Sequence, residues 1–140
     1  MRLLEFTTVK PYTVVDGDSI TIGDKTFSQH PVDRKRYKLV LIDTDLLEEL
    51  WGRSGEGWVV GKGPEYKNQI KNRIAQFKQF YEENDEIQVG NLGVRPNGVA
   101  NFGDGRHRTR VLIELGMKQI PISMDYESIL NLEKVTSNEI

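Results

Sequence analysis

The chain has no cysteine. That rules out disulfides, thiolate metal centres and a cysteine nucleophile, and it is compatible with a reducing compartment. No apolar run approaches the length needed to cross a bilayer. The first residues do not read as a signal peptide, so cytoplasm is the expected location and no membrane partner is expected. Neither sign of charge dominates: 19 Lys and Arg stand against 21 Asp and Glu, a formal net charge of −2. There is thus no global electrostatic case for nucleic acid, although a local basic face stays open. Internal repeats and low-complexity segments are also missing. What is present is an ordinary globular composition, 37% hydrophobic and 29% charged over 140 residues. The expectation is one domain over 1–140, large enough to bury a core.

The pattern predicts an α+β fold, a mixed sheet packed with a few helices. Within an N-terminal extension covering 1–29, residues 3–29 read as a β-meander. There Tyr12-Thr13-Val14-Val15 and Ser19-Ile20-Thr21-Ile22 flank Asp16-Gly17-Asp18 as a hairpin turn, and Gly23-Asp24-Lys25 makes a second turn. Ser28 to Arg36 is a polar loop whose charge run reads as solvated surface or nucleic-acid contact. Tyr37 to Ile42 is a nearly continuous apolar stretch, predicted as a central strand buried on both faces. Asp43-Thr44-Asp45 then supplies a helix cap and first-turn acid before Leu46 to Trp51; a metal or general-base role for these acids is the alternative. Gly52 to Gly63 is predicted as a glycine-rich loop around a short strand, with Lys62 between Gly61 and Gly63 as a second phosphate-contacting residue.

Gly63-Pro64-Glu65 opens the longest predicted helix. Its apolar stripe is Tyr66, Ile70, Ile74, Phe77 and Tyr81, with Lys67, Lys71, Arg73 and Lys78 off it, as a solvated face or as contacts to a phosphate backbone. Asn84-Asp85 ends the helix. Ile87-Gln88-Val89 and Gly93-Val94 are short strands, and Pro96-Asn97-Gly98 turns the chain into Val99 to Phe102. After Met124 the tail is acidic and polar. A helical turn over Asp125 to Leu130 and fraying from Thr136 are expected, so that 129–140 is a partly frayed tail.

The most informative stretch is Asn101 to Arg108, followed by Thr109 to Gly116. It reads as a strand end, a tight glycine turn and a helix start. Asp104 is placed to cap the first-turn amides, and Gly116 to stop the helix with Met117 as the apolar contact after it. Free N–H groups, the positive end of the helix dipole, Arg106, His107 and Arg108 together suit a phosphate. At about 100° per residue, Asp104, Arg108, Val111, Leu112 and Leu115 share the inward face, with Arg106 and Arg110 opposite. An inward guanidinium needs a partner, so Arg108 requires a carboxylate of its own chain, a set of carbonyls or a bound anion.

Residues 99–124 resemble the ParB/sulfiredoxin superfamily, in which a strand enters a turn of the type D-G-x-H-R, followed by a short helix and an LG-x-x-x-I-P-V run. Here these are Asp104-Gly105-Arg106-His107-Arg108 and Leu115-Gly116-Met117-Lys118-Gln119-Ile120-Pro121-Ile122. The resemblance implies a nucleotide-phosphate site at Gly103, Gly105, Arg106, His107, Arg108 and Thr109. Asp104 would act as cap, metal contact or base. Sulfiredoxin chemistry needs a cysteine where this chain has Arg106, and no helix-turn-helix follows the unit. A closer likeness is to small plasmid fertility-inhibition factors of the same fold, through Leu50-Trp51, Gly57 to Gly63, Asn72-Arg73, Phe102 to Arg108 and Ser123 to Ser128. It spans roughly residues 37–128.

The function implied is nucleotide binding in a mobile-element protein that blocks DNA transfer, through magnesium-dependent ATP hydrolysis or DNA cleavage. Asp104, His107 and Arg108 would be the catalytic residues, Asp104 and Asp43 the magnesium ligands, and ATP or another nucleoside triphosphate the ligand. DNA or a DNA-transfer protein would be the partner. Two alternatives stay open. One is a non-catalytic inhibitor that binds a protein partner and keeps Arg108 paired internally. The other is a metal-dependent nuclease using Asp18 and Asp43, since Val14 to Ile20 with Tyr37 to Thr44 resembles the start of staphylococcal-type nucleases.

Overall fold

The computed structural model describes residues 10–54 and 68–138. The fold is α+β with mixed sheets. The strands are β1 (Tyr12–Val14), β2 (Ser19–Ile22), β3 (Lys25–Ser28), β4 (Tyr37–Asp43), β5 (Glu86–Gln88), β6 (Asn91–Val94), β7 (Ala100–Asp104) and β8 (Gln119–Asp125). The helices are α1 (Thr44–Gly52), α2 (Asn68–Glu83), α3 (Arg106–Glu114) and α4 (Tyr126–Asn138), with a 3-10 turn at Pro31–Asp33. Lys62, the glycine-rich stretch from Gly55 on, the Gly63-Pro64-Glu65 helix opening and Tyr66 lie outside the described residues.

The apolar run Tyr37 to Ile42 becomes the interior strand it was expected to be. β4 lies between β1 and β8 in a five-stranded sheet of order β1-β4-β8-β6-β7. It pairs antiparallel with β8 from Tyr37↔Asp125 to Asp43↔Gln119. Leu39, Val40 and Ile42 on β4 and Ile120, Ile122 and Met124 on β8 are buried and form the centre of the core. Each such side chain contributes about 1.5–3 kcal/mol by leaving water.

The N-terminal strands depart from a meander. β1 pairs with β4, whereas β2 pairs with β3 in a separate three-stranded sheet of order β2-β3-β5. Asp16-Gly17-Asp18 therefore carries the chain from one sheet to the other and is not a hairpin turn. The hairpin is the second turn: Ile22 and Lys25 pair across Gly23-Asp24, and Gly23 has φ +65°. Positive φ at the first turn residue alone is the pattern of a II′ hairpin.

Of the segment expected to fray, the described residues up to Asn138 belong to helix α4. Asp125 Oδ1 accepts from the Ser128 amide at 2.7 Å, a helix cap, and Leu132 is fully buried. β6 touches β8 in parallel at Asn91↔Ser123. Further along β6, α4 supplies the partners: Ser128 Oγ accepts from Val94 N at 3.0 Å and Asn131 Nδ2 donates to Val94 O at 2.8 Å. Buried backbone groups need such partners, which is why polar residues sit on the inner face of this helix.

Candidate functional site

The glycine turn is built by close approach of two backbones. Gly105 precedes α3 with φ +87°, a conformation that L side chains rarely adopt. A Cβ there would lie 2.5 Å from Gly90 Cα, just before β6. A Cβ on Gly90 would in turn meet Asp104 O at 2.6 Å. Gly103 is tight against a side chain instead, since its Cβ would meet Asn91 Oδ1 at 2.5 Å. The turn is thus seated on the Gly90-Asn91 segment, which the sequence reading did not single out.

Asp104 does not cap the helix. It ends β7, Gly105 occupies the cap position, and no side-chain cap bond is made. The Asp104 carboxylate accepts from Arg108 Nη2 at 3.0 Å instead, and its side chain is 71% exposed. Arg108 therefore has the own-chain carboxylate that was one of its three options. Thr109 is also turned inward: its hydroxyl donates to Gly105 O at 2.9 Å. The far end of α3 follows expectation. Gly116 has φ +86°, Gly116 N donates to Ile113 O and Met117 N to Leu112 O, the Schellman arrangement. Because the helix stops at Glu114, Leu115 is exposed and not inward.

Two concavities flank the turn. A small polar cleft of about 280 Å³ is lined by Arg73, Phe102, Gly103, Asp104, Gly105, Arg106 and His107. A larger cavity of about 460 Å³ holds Arg108 together with residues of α2 and β5. Gly103, Gly105, Arg106 and His107 are thus brought to one place, at the N-terminal end of α3, while Arg108 and Thr109 are not among the residues lining that cleft. Arg106, set opposite the inward face by the helical pattern and named among the phosphate-site residues by the resemblance, lines the cleft. Arg110 is also more buried than expected, with Nε 3.1 Å from Glu114 Oε2.

Arg73, expected on a solvated face or in contact with a phosphate backbone, is exposed and also lines the cleft. Packing of α2 against α3 brings it to the cleft, and Lys78 Nζ reaches Glu114 Oε1 of α3 at 3.7 Å. On the opposite wall Phe102 meets Trp51 of α1 edge-on at 4.6 Å between centroids, and Trp51 is fully buried. The cleft is therefore fixed by one helix on each side of β7 and α3. Burial, and then the guanidiniums of Arg106 and Arg73, hold the His107 imidazole below its ordinary range. His107 is neutral at pH 7, a hydrogen-bonding group there and not a cation.

The proposed metal ligands do not converge. Asp104 stands at the start of α3. Asp43 lines a different cleft with Gly116 and Met117, at the other end of that helix, roughly 14 Å away for nine residues. Asp43 Oδ1 accepts from Gln119 Nε2 at 3.2 Å and caps nothing through its side chain. Asp18 pairs with Arg34 at 3.2 Å and shares neither of these partners. Among the described residues no group of three or more His, Asp or Glu is arranged to hold a metal ion. None of the described helices is long and apolar enough to cross a membrane. Comparison with protein-family models, curated proteins and solved structures found no match to this chain.

Proposed function

We propose that the cleft at the start of α3 binds the phosphate groups of a nucleotide. The observation that carries this is the arrival of Arg73 from α2 beside Arg106, His107 and the glycine turn. Two guanidiniums meet the positive end of a helix dipole in a small polar cleft, and Asp104 is the acid lining it. First-turn amides have no acceptor within their own helix. Anions suit such an end by both charge and hydrogen bonding. His107 would donate as a neutral imidazole or take up a proton when an anion arrives.

Magnesium usually keeps most of its shell as water and phosphate oxygens, with one or two carboxylates. Asp104 fits that role at the rim of the cleft; Asp43 is too far away to share the ion. A fold of the ParB/sulfiredoxin type, ATP as the nucleotide and a role in blocking DNA transfer extend this reading through the sequence resemblance. Those extensions are proposals of the same kind.

The test is calorimetric titration of inorganic triphosphate into the wild-type protein, Arg73→Ala and Arg106→Ala at low salt. A charge-assisted hydrogen bond contributes about 1.5–3 kcal/mol. Each variant should bind roughly ten- to a hundredfold more weakly. Unchanged affinity in a folded Arg73→Ala protein would end the assignment.

A further inference from the structure

The larger cavity beside the cleft has a mixed lining that the phosphate reading leaves unused. One wall is aromatic: Phe77 and Phe80 of α2 stack at 5.9 Å between centroids and 27° between planes. Phe80 is 46% exposed although the helix has an apolar core face to join. The facing wall is Glu86, Ile87 and Gln88 of β5. β5 is the last strand of its sheet and pairs in parallel with β3 alone. Thr26 N donates to Asp85 O and Val89 N donates to Ser28 O. Residues 85, 87 and 89 therefore turn their backbone groups to β3, and the alternation of a parallel ladder turns those of Glu86 and Gln88 the other way. Arg108 closes the cavity, and its Nε is buried with no acceptor among the described residues.

We infer that this cavity is a nucleobase subsite for the ligand whose phosphates occupy the cleft, so the inference rests on the phosphate reading. A planar heterocycle has a face for Phe80 and Phe77 and an edge that alternates donors and acceptors. The N–H and C=O groups of Glu86 and Gln88, which meet no strand partner among the described residues, alternate in the same way. The two sites adjoin: Asp104 lines the cleft, Arg108 lines the cavity, and their side chains are joined at 3.0 Å. They are also in register along α2. Arg73, Phe77 and Phe80 follow at steps of four and three residues on one helix face. That places the rings roughly 6–10 Å from the arginine along the axis, a separation that a ribose and its phosphate esters span. An extended peptide is a poorer occupant, because the open edge is three residues long.

The experiment titrates ATP, GTP, CTP, UTP and inorganic triphosphate into the wild-type protein, Phe80→Ala, Phe80→Tyr and Arg73→Ala. Stacking on an aromatic side chain is typically worth roughly a five- to 150-fold change in affinity. At least one nucleoside triphosphate should bind that much more tightly than inorganic triphosphate. Phe80→Ala should erase the difference without altering inorganic triphosphate binding, and Phe80→Tyr should keep it. Equal affinity for all five probes would overturn the base subsite and leave the phosphate site standing. Nucleotide binding weakened by Phe80→Ala but untouched by Arg73→Ala would keep the ring cavity and overturn the phosphate reading. Absence of binding by every probe would overturn both.

Discussion

Gly105 and Gly116 stand at the two ends of α3 with nearly the same backbone angle, φ +87° and +86°. Alanine at either position meets the same left-handed penalty, roughly 1–2 kcal/mol. Their surroundings differ. A Cβ on Gly116 meets nothing within 4 Å, whereas one on Gly105 meets Gly90 Cα at 2.5 Å and Arg108 Nη2 at 2.9 Å. The arginine tip can move, but Gly90 is held because its carbonyl accepts from Ser123 N at 2.9 Å, where β6 joins β8. Overpacking against a fixed backbone adds about 1–3 kcal/mol. At about 3 °C per kcal/mol for a chain of this size, Gly116→Ala should lower Tm by roughly 3–6 °C. Gly105→Ala should lower it by roughly 6–15 °C. Thermal melts followed by circular dichroism, with urea titrations to compare free energies at one temperature, measure the gap. Equal losses would refute the reasoning, since they would mean that the turn is not wedged against Gly90 and that the cleft's floor is free to move.

His107 gives a pH dependence with a definite sign. Its folded-state pKa is lowered, mainly by burial, so between that value and the unfolded value of about 6.5 the unfolded chain binds more protons. Stability should therefore fall as pH drops through 6.5 and level off below the folded pKa, and His107→Gln should remove this component of a Tm-versus-pH curve. Inorganic triphosphate should bind more tightly as pH falls through the same window, because an anion favours the imidazolium. Arg108→Ala should lower Tm by no more than about 3 °C, because its ion-pair partner Asp104 is largely in solvent. It should also leave inorganic triphosphate affinity within about threefold; a large loss would put Arg108 back among the phosphate contacts.

What the sequence made legible was local. The apolar run Tyr37 to Ile42 marks an interior strand because successive residues such as Leu39 and Val40, on opposite faces, are both buried. Gly116 marks a helix stop because its positive φ and the Met117 contact are encoded within five residues. Asn84 ends α2 for a similarly local reason, its side-chain Nδ2 donating to Phe80 O at 2.8 Å. What stayed hidden depends on which elements meet. The strands flanking Asp16-Gly17-Asp18 have hairpin chemistry, yet they join different sheets, a choice made by β4 and β3. Arg73 looks like any off-stripe helical arginine until α2 packs on α3. Asp104 has the right chemistry for a cap, but Gly105 takes that position and Arg108 takes the carboxylate. The docking of α4 depends on Val94 needing hydrogen-bond partners 34 and 37 residues away in the chain.

The most direct measurement of the central claim is a set of amide and guanidinium NMR shifts recorded as inorganic triphosphate is added. Saturating perturbations are expected at the Gly103, Gly105, Arg106 and His107 amides and at Arg73 Nε, with the amides of Asp43, Thr44 and Gln119 at the far end of α3 unmoved. Perturbations centred on the Asp43 cleft, or none at the glycine turn at saturating ligand, would contradict it.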